Sequence, residues 1–127
     1  RFWGPSRCRE ILRAAASQQI TVLGIRAVAA GALCNTIDRP MKKDDPHYID
    51  WLRATKFRAL ANNWIEGGVS AAYLAHRYAL SMEGVASVVL GVKNRVELDE
   101  CVQAAKDGRL TKDEIAQIDL IMISARM

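Results

Sequence analysis

The sequence has little of what marks the specialised classes of protein. Among its 127 residues, 6% are aromatic, and there are three prolines and three cysteines. The longest apolar stretch, residues 27–34, is far shorter than the roughly 18 residues that a membrane-spanning helix needs. Residues 1–13 carry charges but lack the apolar run of a secretory signal. We therefore expect a cytoplasmic globular protein with no membrane segment, in keeping with a composition that is 50% apolar and 25% charged.

The cysteines and histidines form no recognisable disulfide or metal-ligand pattern. Cys8, Cys34 and Cys101 contain no C-x-x-C pair, and their odd number leaves at least one thiol unpaired. His47 and His76 do not lie at a zinc-finger spacing from any cysteine. The sequence therefore predicts reduced thiols and no metal site.

The net charge of +4 is a mild basic excess. Such an excess is compatible with an anionic partner such as nucleic acid or phosphate. The basic residues are spread along the chain, however, and are interrupted by acidic or apolar residues, as in residues 7–13 and 53–58. A solvated surface is the simpler interpretation, which makes nucleic acid the weaker hypothesis.

Hydrophobic periodicity and capping residues predict alternating helices and strands. Apolar residues at i, i+3, i+4 and i+7 indicate amphipathic helices, and short β-branched runs indicate strands buried on both faces. Ser70 is a predicted N-cap, and Asn94 and Thr111 each precede a glutamate by three residues, which is the capping-box pattern. The predicted elements are helix 6–17, strand 20–26, a long loop, helices 48–63 and 70–81, strand 85–90, helix 94–108 and a last helix from 111. The predicted inward faces of the last two helices are Leu98, Cys101, Val102 and Ala105, followed by Ile115, Ile118 and Met122.

The order of these elements predicts a parallel α/β fold. Strands that are linked through helices run parallel, and parallel sheets occur almost only with several strands and with both faces covered. Two strands alone would leave apolar faces and hydrogen-bonding edges unpaired. We therefore expect residues 1–127 to be a partial single domain of a larger α/β fold, and the start at Arg1 rather than Met agrees with this expectation.

Two strand-to-helix loops are candidate ligand sites, because ligands of parallel folds bind at the carboxyl ends of strands. The small residues of segment 26–33 would let the backbone approach a pyrophosphate, although they also suit tight packing. Segment 91–95 combines Gly91 with the cations Lys93 and Arg95 before a capped helix start, which suits a phosphate. A solvated surface loop in which Asn94 only caps the helix is the alternative for this segment.

Several short patterns, in order, resemble the C-terminal end of an aldo-keto reductase barrel. The family's A-L-R-W-like helix corresponds to residues 75–78, its V-I-P-G-A strand and turn to residues 88–92, and its L-x-E-N helix to residues 98–101. Upstream, residues 22–33 resemble the family's V-x-A-Y-S-P-L-A-x-G-x-L segment, and Val28, Ala29, Gly31 and Leu33 keep that pattern. The resemblance extends from Cys8 over nearly the whole chain.

The resemblance implies a (β/α)8 TIM barrel, of which this chain would supply the seventh and eighth strands with their flanking helices. It also implies an NAD(P)-dependent oxidoreductase that binds NADP or NAD and acts on a small carbonyl, alcohol or sugar substrate. The residues that it places around the dinucleotide are Arg26, Val28, Gly31 and Leu33 on the pyrophosphate side, and Gly91, Val92, Lys93, Asn94, Glu97, Glu100 and Cys101 at the adenosine end.

The sequence departs from the family pattern at several of these positions. Arg26 and Ala27 replace the usual serine and proline of the first loop. Glu97 stands where many NADPH-dependent members carry arginine or glutamine; its carboxylate would repel a 2′-phosphate and favour NAD, whereas Lys93 and Arg95 would favour NADP. Cys101 replaces an asparagine that contacts adenine.

The family's catalytic Asp, Tyr, Lys and His belong to the first half of the barrel, and no segment of this chain matches their motifs. Tyr73 and Tyr78 are expected on a helix outside the barrel, and His76 is interpreted as a surface or interface residue. We therefore assign no catalytic residue and expect the isolated chain to be inactive. The alternative function is a small basic helical module that binds nucleic acid or an acidic partner; a truncated product without a stable fold is a third hypothesis.

Overall fold

The computed structural model describes residues 5–31, 33–34, 42–45 and 48–124. Most of the predicted long loop, including His47, lies outside these residues. Within them the chain forms five α-helices, one short 3₁₀ turn and two strands. They are α1 Pro5–Ser17, β1 Val22–Ile25, the 3₁₀ turn Ala29–Gly31, α2 Tyr48–Asn62, α3 Ala71–Ser81, β2 Val85–Val89, α4 Arg95–Asp107 and α5 Lys112–Ser124.

The two strands pair in parallel, as the helical connections predicted. Gly24 lies opposite Val88 and Ile25 lies opposite Val89, with an irregularity in the register between Val22 and Leu23. Because parallel strands begin and end at the same edges of a sheet, the loops that follow β1 and β2 leave from the same side. The fold is therefore α/β with a two-stranded parallel sheet.

One face of this sheet is exposed, so the prediction that both strands are buried on both faces was wrong. Val22, Gly24 and Val88 are half-buried, whereas Leu23, Ile25 and Val89 are 58%, 70% and 55% exposed. Successive side chains of a strand point to opposite faces, so the exposed residues share one face. The described residues include no element that covers it, and β1 is also shorter than predicted.

The hydrophobic core lies among α2, α3 and α5 rather than on the sheet. Its fully buried large side chains are Leu74 and Ile118, and alanines on α2 and α3 let these helices approach closely. The predicted inward residues Ile115, Ile118 and Met122 of α5 all pack in or against this core. The remaining buried members are Phe57, Ala61, Ala71, Ala75 and Leu110.

The predicted inward face of α4 was partly wrong. Cys101 is half-buried, but Leu98, Val102 and Ala105 are exposed, and the buried residue of this helix is Ala104. The predicted face followed the spacing of apolar residues along α4. In the structure, α4 instead packs against α3 with the face that carries Cys101 and Ala104. No helix within the described part of the chain is long and apolar enough to cross a membrane.

The predicted helix ends are confirmed by their hydrogen bonds. The hydroxyl of Ser70 accepts the backbone N–H of Tyr73 at 3.1 Å. At the start of α5, Thr111 and Glu114 exchange side-chain and backbone hydrogen bonds at 2.9 and 3.1 Å, which completes a capping box. Gly108 ends α4 with a positive φ of 78°, a conformation that glycine adopts without the steric cost of a Cβ.

Candidate dinucleotide site

The two candidate loops leave the sheet side by side. β1 ends at Ile25 and β2 ends at Val89, and these two residues are direct partners in the parallel register. Segment 26–34 therefore begins next to segment 90–94, which leads into the N-terminus of α4. This arrangement places both predicted halves of the site at the carboxyl edge of the sheet.

The first loop makes a sharp turn immediately after β1. Arg26 and Ala29 adopt positive φ angles of 57° and 50°, and the N–H of Ala29 donates to the carbonyl of Arg26 at 2.8 Å. Arg26 is exposed beyond this turn. Non-glycine residues with positive φ are uncommon and cost conformational energy, so the loop geometry is specified by its surroundings.

Some residues of segment 26–33 pack against the hydrophobic core and others do not. Val28 and Leu33 pack against the hydrophobic core, and the N–H of Leu33 donates to the carbonyl of Val28 at 3.1 Å. Gly31, at φ 91°, lies between them, and a Cβ added there would meet no atom within 4 Å. Among these four predicted residues, Arg26 and Gly31 are therefore the ones not packed against the core cluster.

The second loop is open along its length. Gly91, Val92, Lys93 and Asn94 are all exposed, and a Cβ added at Gly91 would meet nothing within 4 Å. The loop thus presents its backbone and the Lys93 side chain to solvent. Among the described residues, the backbone at Gly91 is therefore open to close approach.

The start of α4 is a capped helix N-terminus. The side-chain oxygen of Asn94 accepts the N–H of Glu97 at 2.9 Å, and the Glu97 carboxylate accepts the N–H of Lys93 at 2.7 Å. The amide of Glu97 is therefore already used by the cap. The amides of Arg95 and Val96 remain as first-turn donors without intrahelical acceptors.

Electrostatic coupling shows that the two loops adjoin. Burial raises the pKa of the Cys34 thiol on the first loop, and the carboxylates of Glu97 and Glu100 raise it further. Lys93 acts on the same thiol in the opposite direction. These charges belong to the second loop and to the first turns of α4, in agreement with the pairing of Ile25 with Val89, from which both loops start.

His76 of α3 contacts the second half of the site. Its Nε2 lies 3.2 Å from the Sγ of Cys101 on α4. Burial lowers the pKa of His76 and raises that of the Cys101 thiol, so both groups are favoured in their neutral forms. His76 is 6% exposed, so of the two predicted placements, surface or interface, the structure selects the helix interface.

The residues at this edge fit a dinucleotide in chemistry. Exposed cations on both loops, Arg26, Lys93 and Arg95, can neutralise phosphates, and the α4 N-terminus offers two amide donors. The open backbone at Gly91 allows close approach. Glu97 is unfavourable for a phosphorylated ribose, since it adds a carboxylate to the same helix start.

The sequence was also compared with known proteins. A model of the aldo/keto reductase family matches residues 5–123 of the 127-residue chain. The chain belongs to this family. A comparison with curated proteins finds no match.

Membership of this family of oxidoreductases directs attention to the tyrosines, because the resemblance implies a catalytic tyrosine. In this aldo/keto reductase chain Tyr78 donates its hydroxyl hydrogen bond to Asp119, which also accepts from Arg9 at 2.7 Å. Tyr73 donates to Asp107. Both hydroxyls therefore connect α3 to a neighbouring helix.

No group of three or more His, Cys, Asp or Glu side chains in the described ranges could hold a metal ion.

The contact that sequence reasoning missed is the one between His76 and Cys101. The two residues are 25 positions apart on separate helices, and no local pattern links them.

Proposed function

We propose that this chain is the cofactor-binding portion of an NAD(P)-dependent aldo-keto reductase, and that its two loops hold one nicotinamide dinucleotide. The observation that carries the proposal is the parallel pairing of β1 and β2, which brings segments 26–34 and 91–97 to one edge of the sheet. The family match supports the same assignment.

In this proposal the protein groups have distinct roles. Arg26 on the first loop and Lys93 on the second neutralise the phosphates. The amides of Arg95 and Val96 donate hydrogen bonds at the helix N-terminus, where the helix dipole favours an anion. Glu97, Glu100 and Cys101 lie along α4 and meet the adenosine end.

The bound nicotinamide cofactor supplies the hydride for the interconversion of a carbonyl compound and an alcohol or sugar. The chain's own residues bind and orient the cofactor and contribute no acid or base. We therefore propose that the isolated chain binds dinucleotide without turning over a carbonyl substrate.

We also propose that the chain represents the seventh and eighth strand–helix units of a (β/α)8 barrel. The exposed face made by Leu23, Ile25 and Val89 supports this, because apolar side chains on a parallel sheet are normally covered. In a barrel these strands would have further strands at both edges, and the exposed face would be covered by the barrel interior or the helical layer.

Dinucleotide binding by calorimetry tests the proposed site. Gly91→Trp should weaken the binding of NAD or NADP at least about tenfold, since the indole fills the open loop. The substitution suits the fold, because the Gly91 position has room and its φ is not positive. Ala105→Trp is the matched control, placed on an exposed position near the other end of α4, and should bind as the wild type does.

A wild-type chain that folds cooperatively and binds neither dinucleotide would refute the proposal. Equal weakening by both tryptophan variants would place the ligand elsewhere. Comparing the two cofactors also tests Glu97: Glu97→Gln should improve binding of NADP more than that of NAD, because it removes a negative charge near the 2′-phosphate.

A further inference from the structure

We propose that His76 is a positioning residue of the dinucleotide site. Its Nε2–H donates to the sulfur of Cys101 and holds it in place, so that the S–H of Cys101 donates to the bound dinucleotide. This inference rests on the proposed function. It names a residue on α3 that acts on the ligand through a second residue on α4.

The contact is the basis of this inference. His76 is buried between α3 and α4, and its Nε2 lies 3.2 Å from the Cys101 Sγ. Its other ring nitrogen, Nδ1, is buried and has no hydrogen-bond partner among the residues that the structure describes. A neutral imidazole carries a single N–H, so the ring must place that hydrogen on one of these two nitrogens.

The environment of Nδ1 decides between the two tautomers. A hydrogen on Nδ1 would be a buried donor without an acceptor, and orphaned buried N–H groups are rarer in folded proteins than undersatisfied acceptors. A hydrogen on Nε2 instead points at the Cys101 sulfur, which accepts it. The structure therefore favours the Nε2–H tautomer.

The charges around the ring agree with a neutral imidazole. Glu100, on the same helix as Cys101, raises the pKa of His76, but burial outweighs it and the pKa is lowered overall. A protonated ring would also carry the Nδ1 hydrogen that finds no acceptor. Glu100 is the charged group of α4 that acts on the pKa of His76, and Cys101 is the titratable group of α4 that contacts the ring.

The thiol that results is a directed donor. Since Sγ accepts from His76, its own hydrogen is not used in that contact. Cys101 lies one helical turn after Glu97 on α4, the helix whose N-terminus follows the second loop. Burial raises the pKa of the Cys101 thiol and so keeps the hydrogen on the sulfur.

The tautomer can be read on the ligand-free chain. The chain has two histidines, so a His47→Gln variant leaves the signals of His76 alone in ¹⁵N-resolved NMR of the ring. Near neutral pH we expect a protonated Nε2 and an unprotonated Nδ1. A hydrogen on Nδ1, or a charged ring at that pH, would overturn the inference without any reference to the dinucleotide.

Dinucleotide affinity then tests the positioning role. Cys101→Ala should weaken binding about fivefold, the effect of losing roughly 1 kcal/mol, while Cys101→Ser should retain most of the affinity. His76→Leu, which introduces the residue of the family pattern at this position, should weaken binding when Cys101 is present. In the Cys101→Ala background it should have no further effect.

The possible outcomes separate the two proposals. Additive effects of His76→Leu and Cys101→Ala, or no effect of either, would overturn the positioning role while the dinucleotide site stands. Loss of binding in the wild type itself would overturn the proposed function, and the role of His76 with it. If His76→Leu does not fold, the tautomer measurement and the Cys101 series still decide.

Discussion

The guanidinium of Arg77 on α3 donates from Nε to the carbonyl oxygen of Gly108 at the end of α4, 3.0 Å away. Its Nη2 donates to the carbonyls of Asp107 and Arg109 at 3.4 and 3.3 Å. The last carbonyls of a helix have no intrahelical partner, and a cation near them also favours the helix dipole. Arg77 therefore fixes the C-terminal end of α4 to α3.

We predict that Arg77→Lys lowers the free energy of unfolding by about 1 kcal/mol, because an ammonium cannot reproduce the planar fork. Urea denaturation measures the change. Arg109→Lys is the control, since the structure uses only the backbone carbonyl of Arg109 in this contact, and it should leave stability within about 0.3 kcal/mol. Equal effects of the two variants would show that the fork contributes nothing.

The hydroxyl of Tyr78 should contribute more to stability than that of Tyr73. Asp119, which accepts from Tyr78, is buried and also pairs with Arg9, whereas Asp107, which accepts from Tyr73, is fully exposed. Tyr78→Phe leaves a buried carboxylate with one donor fewer and should cost about 2 kcal/mol. Tyr73→Phe should cost less than about 0.5 kcal/mol, because water replaces the lost donor. The reverse order in thermal or urea unfolding would contradict this assignment.

The helix caps and the parallel pairing could be predicted because they depend on local signals. Ser70, Asn94 and Thr111 satisfy amides within three residues, and the strand direction follows from helical connections. The buried faces could not be predicted in the same way. Ile25 looks like a core residue in the sequence, but its exposure depends on which elements lie over the sheet.

Only the local part of the candidate site could be predicted from the sequence. Segment 91–95 could be proposed from the sequence because glycine, cations and a cap follow one another in the chain. The contact of His76 with Cys101 could not, because it depends on the orientation of two side chains that lie on separate helices.

The exposed sheet face offers a matched pair of substitutions on adjacent residues. Val88 is half-buried and lies against Gly24, with its Cγ2 3.5 Å from a Cβ built there, whereas Val89 points to the exposed face. Val88→Thr buries a hydroxyl and should lower the free energy of unfolding by about 1–2 kcal/mol. Val89→Thr should change it by less than about 0.5 kcal/mol. A similar loss for both would mean that the second face is covered in solution.

Stability should depend on pH through His76. Burial lowers the pKa of His76 below its ordinary value of 6.5, so below that pH the unfolded chain binds a proton that the folded chain does not. The free energy of unfolding should therefore fall as the pH falls from 6.5 towards the lower folded-state pKa, and be fully present above 6.5.

Urea denaturation of the wild type and of His76→Leu, each at about pH 7.5 and about pH 5.5, measures how much the free energy of unfolding of each protein falls on acidification. The wild type should lose more stability on acidification than His76→Leu, since His47 and the carboxylates are common to both. An identical loss in the two proteins would show that folding does not change the pKa of His76.

The most direct test of the account is an amide NMR titration of the chain with NAD and with NADP. If the two loops form one site, the amides of segments 26–34 and 91–97 should shift together and saturate with a single dissociation constant. Shifts confined to one loop, or centred on α1 and α5 away from the carboxyl edge of the sheet, would contradict it.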